Sequence, residues 1–148
     1  MTIFNADELT LFYGSRSTNM IPLHAWDAID QHGRERGKSP RDSQWTTRSY
    51  FSRDIETAIS EGRNIGFRMG PADLVIDFDP RSMDRSLEDA ISYLEERFSF
   101  SLADAPTVTT GSGGLHIYMT VPERFLGRKF RNEMPELPGV EHKCFGKQ

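Results

Sequence analysis

At 148 residues, with 27% charged and 36% hydrophobic residues, the chain has the composition of one globular domain, not of a disordered polymer. No apolar run approaches the roughly 20 residues a bilayer span needs, and the opening MTIFNADELTLFYG lacks the basic start and apolar stretch of a secretory signal. The formal charge of -4 gives no overall push toward nucleic acid, and the single cysteine, Cys144, excludes an internal disulfide and fits a reducing cytoplasm.

Charge is uneven along the chain. RERGKSPR (Arg34 to Arg41) and RKFR (Arg128 to Arg131) are basic, and the stretch from Asp84 to Glu96 is acidic; each reads first as a solvated face. In chain order, PLHAWDAIDQHGRERG carries Ala25, Trp26 and Ile29 at helical spacing and ends at Gly37, which predicts a short helix. KSPRDSQW reads as a loop, and a second helix is expected over Arg53 to Glu61, capped by Ser52 and stopped by Gly62. NIGFRMG and LVIDFD follow as strands. Ser86 and Asp89 form a capping-box variant for a third helix, whose apolar stripe is Leu87, Ile91, Leu94 and Phe98. PTVTT, a glycine loop, the alternating LHIYMTV and then GVEHKCF complete the list. The pattern predicts an α+β fold, a mostly antiparallel sheet with helices on one face.

Two acids stand inside the most apolar run, DLVIDFDP. Side chains alternate along a strand, so Leu74, Ile76 and Phe78 share one face and Val75, Asp77 and Asp79 the other. Leu115, Ile117, Met119 and Val121 likewise oppose His116, Tyr118 and Thr120, and Glu141 follows Val140 at the start of the last strand. If the strands share a sheet with matching orientation, three acids and an imidazole gather on its uncovered face. Carboxylates at alternate strand positions start some 6–7 Å apart and can lean together onto cations. Hard oxygen ligands suit magnesium or manganese, and two such ions roughly 4 Å apart can activate a 3′-hydroxyl and stabilise a pyrophosphate leaving group. The plainer alternative is a DxD exposed at a strand end. In TTGSGGLH, Gly111, Gly113 and Gly114 let backbone approach a ligand, Ser112 adds a hydroxyl, and His116 can donate to a phosphate oxygen. A tight turn is the plainer reading of that loop.

NIGFRMGPADLVIDFDP, PTVTTGSGGLHIYMTVP and LPGVEHKCFGKQ together resemble the primase-polymerase (prim-pol) domain of the archaeo-eukaryotic primase superfamily, of the bifunctional DNA primase/polymerase N-terminal type. The matching motifs are Asp77 and Asp79 after a hydrophobic run, then Gly114-Leu115-His116, then Val140-Glu141. The resemblance implies a core related to the RNA-recognition fold, residues 63–148, with a small α/β unit before it, residues 1–62. It implies template-directed nucleotidyl transfer in DNA replication, with a DNA template and primer and nucleoside triphosphates as partners. By carry-over Asp77, Asp79 and Glu141 hold two Mg2+ or Mn2+ ions and are catalytic. His116, with Ser112, Gly113 and Gly114, binds the incoming triphosphate, and Lys143 adds a phosphate contact. Lys38 and Arg48 stand where such domains often place basic residues. The family's domain usually continues through further strands, whereas this chain stops at Gln148. The expectation is therefore a domain truncated at its C-terminal end, part of a larger replication protein with a helicase region downstream. The zinc-binding insert of some relatives is absent, and Cys144 with His24, His32 and His142 has no credible metal-ligand spacing.

Three rivals stand beside this reading. An aspartate-nucleophile phosphatase would need Gly and Thr after the second acid, where Pro80 and Arg81 stand, and a parallel sheet, which the short Thr110 to Leu115 connection disfavours. A metal-dependent nuclease would cut DNA without nucleotides. A non-catalytic nucleic-acid-binding fragment would hold single-stranded DNA without metal.

Overall fold

The computed structural model describes residues 6–14, 19–126, 128 and 131–144; Lys129, Phe130 and Phe145, which the sequence reading mentions, lie outside them. The chain divides into two compact units, one up to Arg68 and one from Met69.

The first unit holds helix α1 (Ala6–Tyr13), strand β1 (Met20–Ala25), helix α2 (Ser52–Ser60) and strand β2 (Arg63–Phe67). β1 and β2 form a two-stranded antiparallel sheet, with Met20 opposite Phe67 and a register shift between Pro22 and Ala25. Met20, Ile21, Leu23 and Phe67 are buried, as are Ile55 and Ala58 on α2. Capping of α2 sits one residue earlier than predicted. Phe51 is the N-cap residue, and Asp54 reaches back to accept its N–H at 2.8 Å.

The helix expected over PLHAWDAIDQHGRERG does not form: its start is strand β1 and the rest is turns. The residues that suggested a helical stripe face water, with Trp26 74% and Ile29 65% exposed. Asp30 instead closes a turn, its Oδ1 accepting the N–H of His32 at 2.8 Å and of Arg34 at 3.0 Å. Gly37 then passes so close to Trp26 that a Cβ would lie 2.6 Å from its carbonyl oxygen. Local turn chemistry has won over apolar spacing.

The second unit is built on strand β3 (Asp73–Phe78), helix α3 (Leu87–Phe98), and strands β4 (Thr107–Thr109), β5 (Leu115–Thr120) and β6 (Val140–Cys144). The sheet order is β4-β5-β3-β6, and every neighbouring pair is antiparallel. That is the split β-α-β order of the RNA-recognition fold, with β5 slotted between β3 and β4. β2 pairs with β1 and not with β3, so it belongs to the first unit.

One face of this sheet makes the core. Ile76 and Phe78 from β3, Ile117 from β5 and Val140 from β6 are buried against Ala90 and Leu94 of α3, with Leu102, Met134 and Leu137. Ser86 caps α3, its Oγ accepting the Asp89 N–H at 3.0 Å and donating to Oδ2 of the same residue at 2.7 Å. The predicted stripe holds at Leu87, Ile91 and Leu94, which pack into the core. Phe98 does not join it: it is half exposed at the last turn, its ring centroid 6.3 Å from that of Phe100. The face opposite α3 carries Val75, which is buried, and the polar side chains of Asp77, His116 and Glu141.

Candidate functional site

Strand register decides which side chains meet on that face. Asp77 lies directly opposite His116 on β5 and opposite Glu141 on β6, so three functional groups form one row across three strands. The next row is Lys143, Val75 and Tyr118. β3 is the middle strand of the three, which makes Asp77 the centre of the arrangement.

The side chains are engaged with one another. His116 Nε2 stands 3.2 Å from Asp77 Oδ1. Lys143 Nζ lies 3.7 Å from Asp77 Oδ2 and in close contact with Glu141 Oε2, so it supplies positive charge where the two carboxylates converge. The side chains of His116, Asp77 and Lys143 are a quarter to a third exposed, half-sheltered but open to a ligand.

Asp79 lies beyond the end of β3, its N–H held by the Gly139 carbonyl at 2.8 Å. Its carboxylate is clasped by Arg81, whose Nε and terminal nitrogen reach Oδ1 and Oδ2 at 3.0 and 3.1 Å. Sequence reasoning missed this partner, although DPR puts Arg81 two residues past Asp79. It also assigned nothing to Asp73, which is buried and closes the turn into β3 by accepting the Gly70 N–H at 2.7 Å.

The glycine loop joins β4 to β5 and is bonded to itself. Thr110 accepts the N–H of Gly113 on its carbonyl at 3.0 Å and the N–H of Gly114 on Oγ1 at 3.0 Å, while Ser112 Oγ lies 3.1 Å from that same Oγ1. Gly114 has a further role. A Cβ there would lie 2.3 Å from the Phe78 carbonyl oxygen, so only glycine lets the loop seat against the end of β3. Ser112 is exposed at the tip.

The donor chemistry of Asp77, Asp79 and Glu141 fits a hard divalent cation. Among the described residues, however, no three His, Cys, Asp or Glu side chains are gathered closely enough to hold one. Cations of the protein itself, Lys143 and Arg81, stand against these acids. A metal ion held by these acids would require their side chains to turn from these partners.

Among the described residues no helix is long and apolar enough to cross a membrane. No curated protein and no solved structure matched the chain. A family model described as bifunctional DNA primase/polymerase, N-terminal, matches residues 10–147. That span takes in the whole acid–histidine row and the strands that align it, and the chain belongs to the Prim-Pol family.

Proposed function

We propose that the sheet face opposite α3 carries template-directed nucleotidyl transfer, as a DNA primase, a DNA polymerase or both, within a cytoplasmic replication protein. The observation that supports this most is Asp77 standing directly between His116 and Glu141 in a chain of this family. DNA template, primer and nucleoside triphosphates are the substrates, and a helicase region of the same replication protein is the expected partner.

In this reading Asp77, Asp79 and Glu141 hold two magnesium or manganese ions. Bound there, such ions supply Lewis acidity to the attacking 3′-hydroxyl and charge stabilisation to the departing pyrophosphate. His116 is oriented by Asp77 and turns its ring N–H to a phosphate oxygen of the incoming nucleotide. Lys143 moves from the acids to the phosphates as they enter, a short transfer for a flexible ammonium. Gly113 and Gly114 shape the loop, and Ser112 at its tip offers a hydroxyl to the triphosphate.

The test is incorporation of a labelled deoxynucleotide onto a primed template with manganese, comparing the chain with Asp77→Asn and Asp79→Asn. Either variant should lower incorporation by about a thousandfold, the effect of several kcal/mol of lost charge stabilisation. Folding should be kept, because these carboxylates form only partly exposed ion pairs, which contribute little to stability. Undiminished incorporation, or loss of the folded state in both variants, would sink this reading. Metal-dependent DNA cutting without nucleotides would instead support a nuclease, and metal-independent DNA binding without turnover a non-catalytic module.

A further inference from the structure

Tryptophan is among the most buried side chains on average, since its ring carries a large apolar area. Trp26 is 74% exposed and Ile29 65%, in the stretch where turn chemistry replaces the expected helix. The backbone beneath them is held from several sides. Leu23 bridges to Pro40, the His24 N–H donates to the Ser39 carbonyl at 3.1 Å, and the Arg36 N–H donates to the Ala28 carbonyl at 2.7 Å. Asn64 of β2 donates its side-chain amide to the Gly37 carbonyl at 2.9 Å. Gly37 passes too close to the Trp26 carbonyl for any side chain, which fixes the crossing point. The indole is thus displayed on a hydrogen-bonded platform.

The segment that crosses Trp26 is the basic run RERGKSPR, which the acid row does not use. It holds four cations, Arg34, Arg36, Lys38 and Arg41, and one acid, Glu35. Glu35 pairs in register with Ile29, so alternation places Arg34 and Arg36 on the other side of this short ladder. The partner segment carries Asp27, which is exposed, and Asp30, already engaged by the N–H groups of His32 and Arg34. Arg34 and Arg41 are exposed, whereas Arg36 is half-buried. Among the described residues no carboxylate pairs with Arg34 or Arg41. Arg41 also lines a cavity of about 620 Å³, with Asp42, Arg48, Arg53, Asp54 and Glu61. Exposed positive charge therefore stands on both sides of the crossing, Arg34 before it and Arg41 after.

We propose that this strip binds a single strand of nucleic acid, with one base stacked on Trp26 and phosphates against Arg34 and Arg41. Every base has a flat face to stack, and every linkage carries the charge that arginines answer. An acidic peptide would meet the arginines but leave the indole without a stacking partner. The stacking and charge chemistry is read from the strip itself; that the strand is DNA rests on the proposed function.

The experiment is anisotropy of a fluorescent twelve-residue oligo-dT titrated with the full chain, without divalent ions or nucleoside triphosphates. Trp26→Ala should weaken binding by about tenfold, the worth of one base stack, with the salt slope unchanged. Arg34→Gln with Arg41→Gln should lower that slope by about 1.4, two single-strand phosphate contacts at roughly 0.7 each. An abasic strand of the same length should bind more weakly than oligo-dT and be indifferent to Trp26→Ala. In a Trp45→Phe chain Trp26 is the remaining indole, and oligo-dT should quench its emission while the abasic strand does not. Phe51→Ala is the control, since that ring is equally exposed at 74% but lies outside the strip; binding should hold within twofold. Trp26, Arg34, Arg41 and Phe51 all face water, so melting temperatures should stay level. With no metal or nucleotide present, the outcome is independent of the acid row, whose own test is incorporation. Oligo-dT binding unchanged, within twofold, in folded Trp26→Ala overturns the proposal. So does poly-glutamate binding as tightly as oligo-dT, which would assign the strip to an acidic protein.

Discussion

The two units handle charge in opposite ways. On the sheet face opposite α3 and at its edge, carboxylates come first and the protein's own cations, Lys143 and Arg81, answer them. Around the cavity of the first unit, each lining acid has a partner, and among the described residues no carboxylate pairs with Arg41 or Arg53. A carboxylate row held by borrowed cations suits an exchange for metal ions. The contrast shows that charge count alone says little, since a net charge of -4 conceals an acid-centred surface and an arginine-lined one in the same chain.

Three changes would break or sharpen this contrast. The largest effect is expected from Gly114→Ala, which forces a Cβ to within 2.3 Å of a backbone oxygen that cannot easily move. Overpacking of this kind costs about 1–3 kcal/mol, so thermal melting should shift down by several degrees. An unchanged melt would show that the loop is not seated on β3. Next comes Lys143→Met, which removes the cation between Asp77 and Glu141. Manganese should bind roughly five- to tenfold more tightly by calorimetry, the worth of one partly screened competing charge. Weaker manganese binding would mean that Lys143 organises the acids instead of competing for them. The smallest effect belongs to Asp42. The Gln44 N–H first, and Arg48 second, hold its carboxyl below the usual carboxylate range. Its stabilising contribution is present above the unfolded pKa of about 3.9 and is lost as pH falls through the lower folded value. Asp42→Asn should therefore lower stability slightly at pH 7 and flatten its fall below about pH 4, so that the difference from the parent chain closes in acid. A loss at neutral pH equal to that in acid would count against this account.

Much of the second unit was legible before any coordinates. Alternation in LVIDF and LHIYMT assigns each side chain its face, and Ser86 with Asp89 marks where α3 begins. What the alternation could not supply was register: Asp77 meets His116 and Glu141 only because the ladders align them. Arg81 was readable in principle, two residues from its acid, but a side chain's choice of partner is not a periodic signal. The first unit was harder. β1 is short and contains Pro22, while the helical spacing of Trp26 and Ile29 is accidental, since both are exposed. The cavity assembles residues from β1, the loop at 41–50 and α2, and no local pattern announces such a meeting of distant segments.

Asp77 belongs to the middle strand, paired on both edges, and this has a consequence for how the chain can vary. A slip of one residue between β3 and either neighbour would carry His116 or Glu141 to the helix-covered side. The same slip would turn Ile117 or Val140 outward from the core, where both are now buried. Chemistry and hydrophobic burial thus read one shared alignment, like two messages written in a single frame. A lineage drifting in sequence cannot shift one without scrambling the other, and point substitutions remain the gentle route to altering this face.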